Sequence, residues 1–180
     1  LEEILFYAKP VDLRLRPLQA AEALLAFLDS HRDMAMGRHQ RITMDGGASE
    51  ARMMADPDRL TQIFANLTQN ACEAAPNGAE IAWTVQDQPL SGIVSLEVTN
   101  PGPRIPPDLL ARVTEPFVST KSSGTGLGLA VVRRLTQAQG GELTITSDAT
   151  DGTRVRLSFP RLAASAQSFD RCESDVPEDT

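Results

Sequence analysis

Cysteine is nearly absent from this chain. Cys72 and Cys172 are the only two, far apart and in no metal-ligand spacing. That excludes a disulfide framework and fits two free thiols in a reducing compartment. Lysine is as scarce: of 17 basic residues, only Lys9 and Lys121 are lysines. Because the two cations are not interchangeable, a chain this committed to arginine makes each lysine a candidate for a specific role. Positive charge is in deficit overall, with a net charge of −7, which argues against a general nucleic-acid binder. Apolar runs long enough to cross a bilayer are missing, so no direct membrane contact is expected of it. At 41% hydrophobic and 23% charged over 180 residues, the composition excludes collagen and wholesale disorder and suits one globular domain with a short appendage.

What is present reads as alternating elements. Leu1, Ile4, Leu5 and Ala8 have helical spacing with no N-cap before them, and Pro10 stops the run. Residues 1–9 are therefore expected to be the tail of a longer helix and the chain a piece of a larger protein. Residues 11–17 read as an extended connector. Residues 18–31 read as a helix with Leu18, Ala21, Leu24, Leu25 and Leu28 on one face. Residues 41–45 and 51–55 are short strand candidates around Gly46-Gly47. Asp56-Pro57 opens the clearest helix, which runs to about Ala75 before Pro76-Asn77-Gly78. Residues 79–85 and 93–99 alternate as strands, 108–113 read as a short helix, and 115–124 as a loop. A helix over 125–139 should turn Leu127, Ala130, Val131 and Leu135 inward. Strands over 143–146 and 153–159 close around Asp151-Gly152. Residues 164–180 carry Asp170, Glu173, Asp175, Glu178 and Asp179 against Arg171 and read as an acidic, disordered tail. The sum is α/β: a two-layer sandwich with about five strands and three main helices. The five methionines (Met34, Met36, Met44, Met53 and Met54), Trp83 and Tyr7 read as packing residues.

Three local patterns could carry chemistry. At 100° per residue, the long helix has a core face of Leu60, Ile63, Phe64, Leu67, Ala71 and Ala74. Asn66, Asn70 and Glu73 form a second stripe along its border. Asparagine is a poor helix former, and on the helix alone this stripe fits a solvated edge as well as a site. Asn100-Pro101-Gly102-Pro103-Arg104-Ile105 follows a strand and can place a small amide in a cleft, although alone it is an ordinary turn. Gly124-Thr125-Gly126-Leu127-Gly128-Leu129 opens a helix, where close backbone N–H groups and a positive helix end suit an anion. It follows no strand and lacks a Gly-Lys-Ser/Thr ending, so it is neither a dinucleotide fingerprint nor a P-loop.

Taken in order, the Asn-x-x-x-Asn helix, the polar-Gly turn, Glu115-Pro116-Phe117-Val118-Ser119-Thr120-Lys121 and the glycine run resemble the ATP-binding domain of sensor histidine kinases. That domain has the Bergerat fold, with a mixed sheet, and belongs to a superfamily shared with gyrase, Hsp90 and MutL ATPases. The nitrogen- and flagellar-type sensors are the most similar in flavour. The resemblance covers about residues 10–160. Residues 1–9 are similar to the end of the family's dimerisation and phosphoacceptor hairpin, and 161–180 would be a tail.

The resemblance implies roles residue by residue. Asn70 would be the Mg²⁺ ligand, with Asn66 one turn earlier against the phosphates or a metal-bound water. Glu73 would stand at the phosphate end with metal or water between. Asn100 would accept from the adenine amine, with Gly102 and Ile105 beside the purine and Thr153 near it. Phe117 would anchor a lid over about residues 106–124 that orders on nucleotide and moves during transfer. Lys121 would reach the terminal phosphate. Gly124, Thr125, Gly126, Leu127 and Gly128 would cradle the phosphates. Asn66 and Lys121 would carry the catalytic positioning.

Two departures stand out: the family's aspartate is Asn100, and a family glycine is Arg104. A neutral acceptor is weaker than a charged one, which would cost about 1–2 kcal/mol of adenine binding. Arg104 would crowd the pocket mouth or reach a phosphate. The hydrolysing relatives' general base falls at Asn66, which takes no proton, so brisk ATP hydrolysis is not expected. Neither His31 nor His39 has the surroundings of the family's phosphoacceptor. The expected protein is a histidine kinase fragment of the cytoplasm that binds ATP and Mg²⁺. Its partners would be its own hairpin and a response-regulator receiver domain. Two alternatives stay open: a nucleotide-sensing or scaffolding pseudokinase, and an anti-sigma-type serine kinase.

Overall fold

The computed structural model describes residues 11–31, 33, 38–46, 50–119 and 125–163. In chain order the elements are β1 (Arg16–Gln19), α1 (Ala20–Ser30), β2 (Arg41–Asp45), β3 (Arg52–Ala55), α2 (Pro57–Ala74), β4 (Glu80–Gln88), β5 (Ile93–Asn100), α3 (Pro107–Leu110), α4 (Gly128–Ala138), β6 (Glu142–Asp148) and β7 (Gly152–Pro160). The main sheet has five strands in the order β2-β4-β5-β7-β6. β2 runs parallel to β4, and every other neighbouring pair is antiparallel. The fold is the two-layer α/β sandwich expected, and its mixed sheet has the expected five strands.

The core lies between one face of this sheet and helices α1, α2 and α4. Alternate residues point inward: Ile81, Trp83 and Val85 on β4, Val94, Leu96 and Val98 on β5, and Val155, Leu157 and Phe159 on β7, all buried. Helix α2 meets them with Leu60, Ile63, Phe64, Leu67 and Ala71. Phe64 sets its ring edge against Trp83 at 5.5 Å between centroids, which places the largest side chain of the chain at the layer boundary. Ala74, expected on that face, is exposed because α2 ends there and its last turn leaves the sheet.

Both ends of α2 are fixed by side chains. Asp56 accepts from the N–H groups of Asp58 (2.9 Å) and Arg59 (3.2 Å), and a third amide, Arg14 N–H, donates to its other oxygen at 2.8 Å. Burial pushes this carboxyl up, but the three amides together hold it below the ordinary carboxylate value. At the far end, buried Gln40 donates to the carbonyls of Cys72, Ala75 and Pro76, which satisfies acceptors the helix leaves open. Gln139, just past α4, accepts from Asp56 N–H at 2.7 Å and so ties the end of α4 to the start of α2.

Several boundaries differ from expectation. Leu18 belongs to β1, since Arg16–Gln19 pair antiparallel with β3 and the first helix starts at Ala20. That helix buries Ala20, Ala21, Leu24 and Phe27, and Leu25 is 40% exposed. The strands expected over 41–45 and 51–55 are both present, in different sheets: β2 enters the main sheet, and β3 joins β1 in a separate two-stranded sheet. α4 starts at Gly128 and not at 125, and it buries Val132 where Val131 was expected. His31 stacks on Phe27 at 4.3 Å, and Met54 is partly exposed. Tyr7, Met34 and Met36 lie outside the described residues. No helix among the described residues is long and apolar enough to cross a membrane.

After β7 the backbone continues along β3, with Met53 bridging Arg161 and Leu162 N–H donating to Arg52 O at 2.7 Å. Arg161 grips Asp87 with two nitrogens, at 2.7 and 3.1 Å. β3 is thus flanked by β1 on one side and by residues 161–162 on the other.

Candidate functional site

The inward edge of α2 brings most of the expected residues together. Asn66 and Asn70 are half-buried, one turn apart, at the border between core face and solvent. Asn66 donates one amide hydrogen to Gln62 O, one turn back at 2.8 Å, and its oxygen lies toward the start of α4. A Cβ on Gly128 would lie 3.1 Å from Asn66 Oδ1 and 3.5 Å from Asn70 Nδ2. Glycine at that position is therefore what lets the start of α4 approach both asparagines. No side chain caps this helix; its flanking residue is Leu127, in right-handed helical conformation. The first N–H groups of α4 consequently have no partner within the helix, and they form a positive end beside two amide side chains.

The segment leading into α4 is held by its backbone. Phe117 N–H donates to Gly126 O at 3.0 Å, and both residues have positive φ, 66° and 70°. A Cβ on Gly126 would come within 2.6 Å of Phe117 C, so only glycine fits under that segment. The Phe117 ring itself is 63% exposed. Thr125 is exposed, whereas Leu127 is buried and can offer only its backbone to a ligand. Lys121 and Gly124 lie outside the described residues.

The second half of the site lies one to two turns further along α2. Asn100, at the end of β5, is 4% exposed, and its Nδ2 has no hydrogen-bond partner among the described residues. A Cβ on Gly102 would sit 2.8 Å from that nitrogen and 3.0 Å from Ala74 O. Glycine is therefore what lets this turn pack closely between Asn100 and the end of α2. Gly152, with φ of 78°, packs directly under the Asn100 carbonyl. Thr153 is the register partner of Asn100 across β5–β7 and is buried beside it. Its hydroxyl is 3.0 Å from Ser147 Oγ, which accepts from Ile105 N–H at 2.9 Å.

Sequence reasoning missed Ser147 and Gly152. The signal for Ser147, a polar residue on the inward face of β6, appears only once the register is known. Arg104 is exposed and lies close enough to lower the Asp148 carboxyl, which is held down mainly by the N–H groups of Asp151 and Thr150. Glu73 is exposed on α2 and is held by Gln69 at 2.9 Å.

Asn66 and Ala74 are eight residues apart on α2, about 12 Å at a helical rise. The floor of the site thus joins the positive start of α4, with Asn66 Oδ1 and Asn70 Nδ2 beside it, to a buried, unpartnered amide packed against Gly102. An anionic group suits the first place and a flat heteroatom-edged ring the second. Among the described residues, no cluster of three His, Cys, Asp or Glu side chains could hold a metal ion. A cation here would depend on amide oxygen and on oxygens of a ligand, which suits a hard ion that keeps several waters. A separate open groove of about 360 Å³ lies between β1, α1 and the first half of α2, away from all of these residues.

Residues 55–163 match the family described as histidine kinase-, DNA gyrase B-, and HSP90-like ATPase. The sensor histidine kinase ZraS of Salmonella typhimurium is 30% identical over 161 residues, 89% of this chain and 34% of that protein. The sensory histidine kinase/phosphatase NtrB of Rhodobacter capsulatus is 36% identical over 138 residues, 71% of this chain and 39% of its own. The chain spans about a third of the length of the curated relatives it matches. Full-length ShkA in complex with AMPPNP superposes with a TM-score of 0.77 at 28% identity, over 92% of this chain and 36% of that one. Histidine kinase ThkA in complex with response regulator TrrA gives 0.76 at 25% identity, over 89% and 46%.

Proposed function

We propose, from the premise that this chain belongs to the histidine kinase-, DNA gyrase B- and HSP90-like ATPase family, that it binds Mg-ATP and positions the terminal phosphate for a histidine on a separate helical hairpin. The phosphate would then pass to a response-regulator aspartate. The observation that carries this reading is the joint placement, along one edge of α2, of the α4 start against Asn66 and Asn70 and of the Asn100–Gly102 turn against Ala74. The AMPPNP complex of ShkA and the response-regulator complex of ThkA support the ligand class and the partner class.

In this reading the base is held by Asn100, with Gly102 admitting its ring and Ile105 and Thr153 closing its side. The free N–H groups at the start of α4, together with Gly126 and Gly128, take the phosphates. Thr125 and the Leu127 backbone flank them; the roles expected of Lys121, reaching the terminal phosphate, and of Gly124, in the cradle, fall outside the described residues. Phe117 fixes the base of the lid. Asn70, with Asn66 beside it, would hold Mg²⁺, which when bound neutralises phosphate charge. Glu73 stands at the outer rim of that end. Asn66 cannot accept a proton, so this domain offers no base at that position to activate water, and transfer relies on positioning. The expected place of work is the cytoplasm, where ATP is.

The test is calorimetric titration of the chain with ATP and Mg²⁺, beside Asn70→Ala. Binding in the micromolar range, weakened about 10–100-fold by the substitution, is the expected outcome. Absence of heat up to millimolar nucleotide would overturn the reading. Fused to its hairpin, the protein should take up phosphate that is labile to acid.

A further inference from the structure

We infer that this site does not discriminate strongly between 6-amino and 6-oxo purines, so that inosine and guanosine triphosphates are ligands beside ATP. The inference rests on the nucleotide-binding reading above and deepens it at one residue, Asn100.

Asn100 is 4% exposed, and its Nδ2 is a buried donor without a partner among the described residues. Gly102 packs against it, where a Cβ would lie 2.8 Å away. A buried donor left unpaired is costly, and a ligand acceptor at this point removes that cost. The chemistry of the amide then decides what can bind. The edge of adenine presents an N–H donor at C6 and an acceptor at N1. The edge of hypoxanthine or guanine presents the reverse, an oxygen at C6 and an N–H at N1. A carboxylate offers only acceptors and matches neither pair completely, because one of its oxygens always meets a lone pair. A primary amide offers one donor and one acceptor side by side. In one orientation it pairs with 6-aminopurine, and turned over it pairs with 6-oxopurine, with no polar group left unmatched.

Nothing among the described residues accepts from Nδ2, so no hydrogen bond at that end opposes the turn. The Asn100 backbone is held independently, by Gly102 N–H on its carbonyl at 3.0 Å and by pairing with Thr153. The side chain can therefore turn without moving the strand. Exclusion factors of 10⁴ or more arise where an analogue strands a buried polar group, and an amide that can turn over strands none.

The experiment is calorimetry of the whole chain with ATP, ITP and GTP in excess Mg²⁺, for wild type and for Asn100→Asp. ITP is the informative probe, because it differs from ATP only at the C6–N1 edge, while GTP adds a 2-amino group. The wild type should bind ITP within about tenfold of ATP. Asn100→Asp should widen the ATP-over-ITP ratio by at least about tenfold, a change of ratio that mere loss of folding does not produce. ATP binding with ITP about 100-fold or more weaker in the wild type overturns this inference alone. That comparison needs no variant, so it stands even where Asn100→Asp fails to fold. Failure of all three nucleotides to bind overturns the parent reading and this one together.

Discussion

Single residues set the shape of the site chiefly by what they lack. Gly152 has φ of 78°, and a Cβ there would overlap the Asn100 carbonyl and come within 2.9 Å of Gly102 N. Gly152→Ala should therefore destabilise the fold by about 1–3 kcal/mol and weaken nucleotide binding, because the strand end that carries Asn100 must move. Urea unfolding checks the first effect and calorimetry the second; a fully stable variant with unchanged affinity would refute the close packing. The sequence patterns name Asn66, Asn70, Asn100, Gly102 and Gly128, and the structure sets Gly128 against the two α2 asparagines and Gly102 between Asn100 and Ala74. Gly152 was noted only as half of a turn, because its close approach to Asn100 exists only in the β5–β7 register. Ser147 was invisible for the same reason: its partners Ile105 and Thr153 are distant in sequence and on different elements.

Among the elements, α2 shows why one helix can organise a site. Its first turn is fixed by Asp56, with three amides on one carboxylate. Asp56→Ala should cost about 1–2 kcal/mol at neutral pH by urea unfolding. The pH dependence has a definite sign. The folded carboxyl lies below the ordinary value of 3.8, so its stabilisation is fully present above that value. It is lost as pH falls through the lower folded value. The gap between wild type and Asp56→Ala should accordingly narrow below about pH 4, and a gap constant with pH would show that the charge contributes nothing. The boundaries of α2 were readable because Asp-Pro before it and Pro-Asn-Gly after it are strong local signals. β1 was not readable. Arg16–Gln19 has no alternation of its own, and its partner β3 lies more than thirty residues further along the chain. The Gly46-Gly47 turn marks where one short strand ends, but not its partner: β2 pairs with β4, where its inward Ile42 and Met44 pack on the core beside Ile81 and Trp83.

For the whole molecule, alternation and helical period point to two layers and about five strands, but not to which of the six candidate segments join the main sheet. They could not specify that the path through the fold returns to where it started. Residues 16–19 and 161–162 lie on opposite sides of β3 and both run antiparallel to it, hence parallel to each other. This arrangement has a mechanical consequence. A pull applied through residues 16 and 162 drags the two flanking segments in opposite directions along β3. The backbone hydrogen bonds are then loaded side by side, in shear, and must fail together instead of one after another. The Arg161–Asp87 clamp lies in the same load path and hands the force to β4. Resistance to such a pull is governed by the unfolding rate and not by equilibrium stability. Asp87→Ala should thus lower the unfolding force in single-molecule stretching while changing stability in urea by no more than about 1 kcal/mol. An unchanged force would mean that the load bypasses the clamp. If the force does fall, tension applied through residues 16 and 162 is borne by the backbone bonds on both sides of β3 and by the clamp before it reaches the asparagines of α2.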